Sequence, residues 1–169
     1  MKYNNKALPF TKEKKIVMDM DGVVADWEKS FVKKHSQALY DNFGSLPKEE
    51  RVALKMGLSN SNFYRELAVM SKGLDLMETL FSSGYDVAIL TSVGKFNSAE
   101  VATQKLAWLC EHCSEKLAAH IRNGNFHWTM SSEQKAAYAT ANTVLIDDRE
   151  KARAPFIKAG GIAIDILDF

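Results

Sequence analysis

The chain contains no run of about 18 apolar residues, so no stretch of it reads as a membrane-spanning helix. Its 22 Lys and Arg are nearly cancelled by 21 Asp and Glu, leaving +1. A chain without excess charge lacks the bulk attraction that draws a protein onto polynucleotides or anionic membranes. Three prolines and nine glycines in 169 residues exclude collagen-like and low-complexity architectures. Two cysteines, Cys110 and Cys113, are too few for a disulfide scaffold. A zinc centre would need a second ligand pair, so "LCEHC" reads as two reduced thiols near a helix surface. His35, His120 and His127 show no ligand spacing. The leader "MKYNNKALPFTKEKK" has lysines but neither an apolar stretch nor an Arg- and Ser-rich amphipathic pattern, so the expectation is a cytoplasmic protein.

What is present fits one domain: 46% hydrophobic and 25% charged residues, enough to bury a single substantial core. "KKIVMDM" (14–20) is a short apolar run after a charged leader, the pattern of a strand buried in a parallel sheet. A helical pattern follows from Asp26 to about Tyr40. "PKEERVALKMG" reads as a short helix begun on Pro47 with acids in its first turn, and "SNSNFYREL" as another short helical piece. From Lys72 strands and helices alternate. The helix "KGLDLMETLFSSG" precedes the strand "YDVAILTS", the helix "NSAEVATQKLAWLCEHC" precedes "NFHWTM", and the helical "SSEQKAAYATA" precedes "NTVLIDD". The helix "REKARAPFIKAGG" then leads to "IAIDI".

Strands alternating with helices imply an α/β fold, a Rossmann-like doubly wound parallel sheet with right-handed crossovers. Between Asp26 and about Met70 the pattern shows no strand. Residues 27–70 are therefore expected to form a small helical insertion over the strand ends, with 1–26 and 71–169 making the core. Sheets of this kind bind ligands at the carboxyl ends of their strands.

The residues with chemistry fall at those ends. Asp19 and Asp21 stand two apart at the end of the first strand, roughly 7 Å from Cα to Cα, so both can flank one small group. Crowded carboxylates repel and lose solvation unless a cation offsets them, and a hard divalent ion such as Mg2+ suits oxygen ligands. Asp147 and Asp148 bring a second acidic pair to the same edge. Thr91 and Ser92 end another strand, and Lys135 precedes the second pair. Carboxylates for a metal, hydroxyls for phosphoryl oxygens and an ammonium for charge on phosphorus form a coherent set. Arg149 reads as an ion-pair partner that orients the acids, and Lys95 either as a lysine that reaches the phosphate or as a solvated loop lysine.

"DMDGVVAD", "AILTS", Lys135 and "VLIDDR" resemble, in order, the four motifs of the haloacid dehalogenase-like (HAD) phosphatases. "NFYRELAVMSKGLDLMETL", "LTSVGK" and "LIDDR…KAGGIAI" look most like the 5'(3')-deoxyribonucleotidases within that superfamily. The resemblance covers essentially the whole chain. It implies a HAD core with a helical cap inserted after the first strand, and a Mg2+-dependent phosphomonoesterase acting on (deoxy)nucleoside monophosphates. Asp19 would be the nucleophile that becomes an aspartyl phosphate, and Asp21 the acid and then base. Mg2+ would be held by Asp19, the backbone carbonyl of Asp21, Asp148 and Asp147. Thr91, Ser92 and Lys135 would grip phosphoryl oxygens, with Lys95 within reach of them and Trp27 near the base. Phe63 and Tyr64 resemble cap aromatics that could stack on a base, while two aromatics on an amphipathic helix more often belong to the core. The middle of the insertion lacks the aromatic pair those enzymes use to sandwich a base, which leaves base and sugar preference open.

The partner expected is therefore a small phosphorylated substrate, with a homodimer implied only by the resemblance. Two other readings keep the fold: a phosphatase for a sugar phosphate or a nucleic-acid 3'-phosphate end, and a non-catalytic nucleotide-binding protein. Fold alone does not demand Asp19, Asp21, Lys135 and Asp148, which counts against the last.

Overall fold

The computed structural model describes residues 2–3 and 6–169. A short antiparallel ladder, β1 (Lys2–Tyr3) with β2 (Lys6–Ala7), opens the chain. The core strand β3 (Lys15–Met18) follows, and β4 (Ala25–Asp26) leads into three helices: α1 (Trp27–Lys34), α2 (Gln37–Asn42) and α3 (Lys48–Ser59). After a 3-10 turn at Phe63–Arg65 come β5 (Ala68–Val69), α4 (Ser71–Ser82) and β6 (Asp86–Ser92). The rest of the chain is α5 (Ser98–His112), α6 (Glu115–Arg122), β7 (Phe126–Thr129), a 3-10 helix at Glu133–Tyr138, β8 (Thr143–Ile146), α7 (Glu150–Lys158) and β9 (Ile162–Ile164).

The central sheet has the order β7-β6-β3-β8-β9, and every pairing in it is parallel. β3 is central: the chain leaves it for β6 and β7 on one side and returns for β8 and β9 on the other. The direction of winding reverses beside β3, and its carboxyl end opens into the crevice where such sheets take ligands. Burial on both faces explains the unbroken apolar runs. Ile16, Val17 and Met18, together with Val144, Leu145 and Ile146, are all essentially inaccessible.

The insertion differs from its sequence pattern in two respects. One helix was expected from Asp26 to about Tyr40, but the chain breaks at Ser36, whose extended backbone and hydroxyl, accepting from the Leu39 N–H, start a second helix. And the stretch from Asp26 to Met70 carries strand after all: β4 pairs antiparallel with β5, Ala25 opposite Val69. Two residues per strand are too few to show a period of two, which hid them from the sequence. The Met70 N–H donates to the Val24 carbonyl (2.9 Å), closing the base of the insertion. The expected "SSEQKAAYATA" helix is a 3-10 helix, and the single helix read after Ser98 is followed by a separate α6 capped by Ser114.

α5 fastens the insertion to the core through side-chain bonds to its backbone. Trp108 Nε1 donates to the Leu67 carbonyl (2.7 Å), Gln104 to Ser61 (2.9 Å) and Asn97 to Ser59 (3.2 Å), while Arg65 pairs with Glu111. Gly73 lets α4 lie directly on the loop after β3. A Cβ there would stand 2.6 Å from the Val23 carbonyl carbon and closer still to its oxygen.

Candidate active site

Asp19 extends the β3–β8 ladder by one bond, its N–H donating to the Ile146 carbonyl at 2.9 Å. That bond sets its side chain beside the acids that follow β8. The chain then turns sharply, with Gly22 N–H on the Ala25 carbonyl (2.8 Å) and Gly22 at φ +82. Here glycine is required twice over. The backbone is left-handed, and a Cβ would lie 2.6 Å from Asp148 Cγ and closer still to Oδ2.

Lys135 joins the two strand ends. Its fully buried ammonium lies 2.8 Å from Asp19 Oδ1 and 2.6 Å from Asp147 Oδ2. The first contact is an ion pair by distance rather than an aligned hydrogen bond, which leaves Asp19 Oδ1 with directional bonding capacity. Asp147 is inaccessible and also accepts from the Arg149 N–H through Oδ1 (2.9 Å). Ligand atoms from Asp19, Asp147 and Asp148 all lie within 4.8 Å of one another, and Asp148 Oδ1 is buried with no hydrogen-bond partner among the described residues.

Electrostatics follow from this crowding. Burial pushes the Asp19 carboxyl up, but the Lys135 and Lys105 ammoniums outweigh it and hold it below the usual carboxylate range. Burial, reinforced by the neighbouring Asp19 charge, raises Asp147 to about 6 despite Lys135. Asp148 is raised for the same two reasons. Lys135 is raised: burial opposes its charge, and Asp19 and Asp147 together more than restore it. Three carboxylates around one ammonium are short of positive charge, and the donor set is all oxygen, which fits a hard divalent cation such as Mg2+.

The sheet brings Asp19, Asp21, Thr91, Ser92, Lys135, Asp147 and Asp148 to one edge. Thr91 is inaccessible, and Ser92 Oγ is buried without a partner among the described residues. Trp27 is placed differently. It belongs to an aromatic cluster of the insertion, stacked on Phe31 at 4.9 Å and edge-on to Phe63 at 5.8 Å, with Phe63 in turn against Tyr64. Lys95 is exposed in the loop after β6 and makes no ion pair or hydrogen bond with the described residues.

Two basic residues escaped the sequence reading. Lys105 of α5 is fully buried and bonds to Asp21 Oδ2 (2.8 Å), Thr91 Oγ1 (2.9 Å) and the Ser92 carbonyl (2.8 Å). Its signal was a lysine on the apolar face of a helix, in register with Val101, Trp108 and Leu109. Arg153 donates to the Asp147 carbonyl (2.9 Å) and pairs with Asp165 (2.8 Å), clamping the acidic loop. The orienting role expected of Arg149 falls largely to it, since Arg149 Nε stands 4.0 Å from Asp148. From the insertion, the Tyr64 ring lies 5.4 Å from the Lys105 ammonium. Burial, with the Asp21 charge nearby, pushes its hydroxyl up to about 12.

No protein-family model and no curated protein sequence matches the chain. Two solved dehalogenase structures share its fold. One has a TM-score of 0.57 at 13% identity, covering 90% of this chain and 84% of the other. The second, described as holding an intermediate complex, has a TM-score of 0.61 at 12% identity, covering 92% and 85%. A HAD-family enzyme from Bacteroides thetaiotaomicron, solved with magnesium and inorganic phosphate, aligns with a TM-score of 0.49 at 18% identity over 90% and 93% of the two chains. At these identities the likeness is one of fold.

Proposed function

We propose that the chain is a Mg2+-dependent phosphomonoesterase of the HAD superfamily, which hydrolyses (deoxy)nucleoside monophosphates through an aspartyl phosphate on Asp19. In this reading residues 1–26 and 71–169 are the catalytic core and 27–70 the cap. The observation that carries it is the shared ammonium of Lys135. A buried carboxylate kept ionised beside two other acids is a nucleophile with a cation site next to it.

Asp19 attacks phosphorus, and the bond from phosphorus to the ester oxygen breaks as Asp21 gives that oxygen a proton. Water then attacks the phosphorus of the aspartyl phosphate. Asp21 takes the proton from that water, and the bond from phosphorus to the Asp19 oxygen breaks to release inorganic phosphate. Lys135, Thr91 and Ser92 would donate to the phosphoryl oxygens that gain charge. Asp19, Asp148, the Asp21 carbonyl and Asp147 would hold Mg2+, which supplies charge neutralisation at the phosphoryl group when bound. The nucleotide part is supported by the motif resemblance and by Tyr64 of the insertion, whose ring lies beside the Lys105 ammonium with Phe63 and then Trp27 packed behind it.

The test is phosphate release, with and without Mg2+, from 5'- and 3'-(deoxy)nucleoside monophosphates, sugar phosphates and a 3'-phosphorylated oligonucleotide, with a 2-haloacid as an extra arm. Mg2+-dependent release from mononucleotides, lost in Asp19→Asn, is expected. Release only from the other phosphates moves the substrate class. Halide release without phosphate release overturns the phosphatase reading.

A further inference from the structure

We infer that Lys105 is a positioning residue of this reaction, aiming Asp21 and Thr91 together while binding no substrate itself. The inference rests on the phosphatase reading above and concerns how that site is held in shape.

Hydrogen-bond valence separates the two buried lysines. An ammonium has three N–H bonds. Those of Lys105 are all committed, to Asp21 Oδ2, Thr91 Oγ1 and the Ser92 carbonyl, at 2.8–2.9 Å. Lys135 makes one aligned hydrogen bond among the described residues, to Asp147 Oδ2, with Asp19 Oδ1 at 2.8 Å as an ion-pair contact, and so keeps N–H capacity for a phosphoryl oxygen. Lys105 would have to give up a bond to touch substrate, and Lys135 would not.

The three bonds of Lys105 have directional consequences. Because Thr91 Oγ1 accepts from Lys105, the Thr91 hydroxyl proton is turned away from the ammonium and is free to donate. Because Asp21 Oδ2 is tied to Lys105, its other oxygen, Oδ1, is the one left without a partner among the described residues and therefore the one able to handle a proton. The bond to the Ser92 carbonyl anchors the same ammonium to the end of β6. Lys105 itself is rigidly held: it is inaccessible, it rides on a 15-residue helix, and the Tyr64 ring faces its ammonium. One side chain thus sets the hydrogen-bond direction of a phosphoryl donor and the rotamer of the proton carrier, and its seat is completed by the insertion.

Lys105→Met tests this with 4-nitrophenyl phosphate, whose leaving group needs no proton, alongside an alkyl phosphate, whose leaving group does. Melting temperature and binding of beryllofluoride with Mg2+ report fold and nucleophile independently of Asp21. The expected result is a nitrophenolate burst slowed less than tenfold, with beryllofluoride binding within about threefold of wild type and a steady-state KM that falls as the intermediate accumulates. Steady-state turnover should fall at least 100-fold on both esters, because water attack on the aspartyl phosphate needs Asp21 in place. In an Asp21→Asn background, Lys105→Met should cost less than tenfold more. If Lys105→Met fails to fold, the comparison is made in Lys105→Gln, where the same split is expected at smaller size. Equal losses in burst and steady state, a rise in KM alone, or full additivity with Asp21→Asn overturns the positioning role. If the wild type itself neither binds beryllofluoride nor releases nitrophenolate, the phosphatase reading falls and this role with it. Wild-type turnover with an unaffected Lys105 variant removes only this inference.

Discussion

Gly22→Ala is the smallest change that should separate the fold from its chemistry. Gly22 sits at φ +82 directly after Asp21, and an added Cβ would meet the Asp148 carboxylate, 2.6 Å from Cγ. Ordinary contact begins near 3.4 Å, so either Asp148 retreats by about 1 Å or the loop shifts, and a displacement of that size commonly costs about 100-fold in rate. The backbone cost is separate. A left-handed alanine loses about 1–2 kcal/mol, which for a chain of this length lowers Tm by roughly 2–8 °C. The expected outcome is a folded protein with a modestly lower Tm, Mg2+ affinity reduced at least tenfold by calorimetry, and phosphate release reduced about 100-fold. Native Mg2+ affinity and native turnover in Gly22→Ala would refute the idea that Asp148 must stand against this turn to do its work.

Other expectations follow from the same geometry. Asp19→Asn should leave the circular dichroism spectrum and melting curve near wild type while phosphate release drops to background; residual turnover above about one part in a thousand would remove Asp19 as nucleophile. Without metal, the stability that Asp147 contributes should decline with rising pH. Its carboxyl is raised from 3.8 unfolded to about 6 folded, so the folded state binds the extra proton between those values and loses that advantage, on the order of 2–3 kcal/mol, as pH climbs from about 4 to about 6. Urea melts of wild type minus Asp147→Asn should show that slope, and saturating Mg2+ should flatten it; an opposite slope sinks the assignment. Gly73→Ala, whose Cβ would collide with the Val23 carbonyl, should cost stability far more than Gly22→Ala, and a near-native Tm would show that the α4 contact is soft. Cys113, raised to about 12 by burial and by Glu78, should alkylate much more slowly at pH 8 than an exposed model thiol.

The parallel sheet was legible because apolar runs such as Ile16–Met18 and Val87–Leu90 are long enough to declare a strand buried on both faces, and because Gly84 and Gly160 end the helices before two of them. The acidic pairs were legible because each lies within a few residues of its own strand end, where position along the chain already fixes position at the sheet edge. β4 and β5 were not, since two-residue strands carry no periodic signal and exist through a pairing across more than 40 residues.

By itself the sequence determined a parallel α/β sheet with Asp19, Asp21, Thr91, Ser92, Asp147 and Asp148 at its strand ends and Lys135 shortly before the last pair, because those facts depend on local pattern and on the order of strands. Only the tertiary structure decided which charge meets which. It put Lys135 between Asp19 and Asp147, sent Lys105 across 84 residues to Asp21, left Lys95 in solvent, and set Tyr64 of the insertion over Lys105. Ion pairing is a matter of distance in space, falling off over a few ångströms, and nothing in a one-dimensional pattern encodes the distance between residues that only the packing of α5 and the insertion against the sheet brings together.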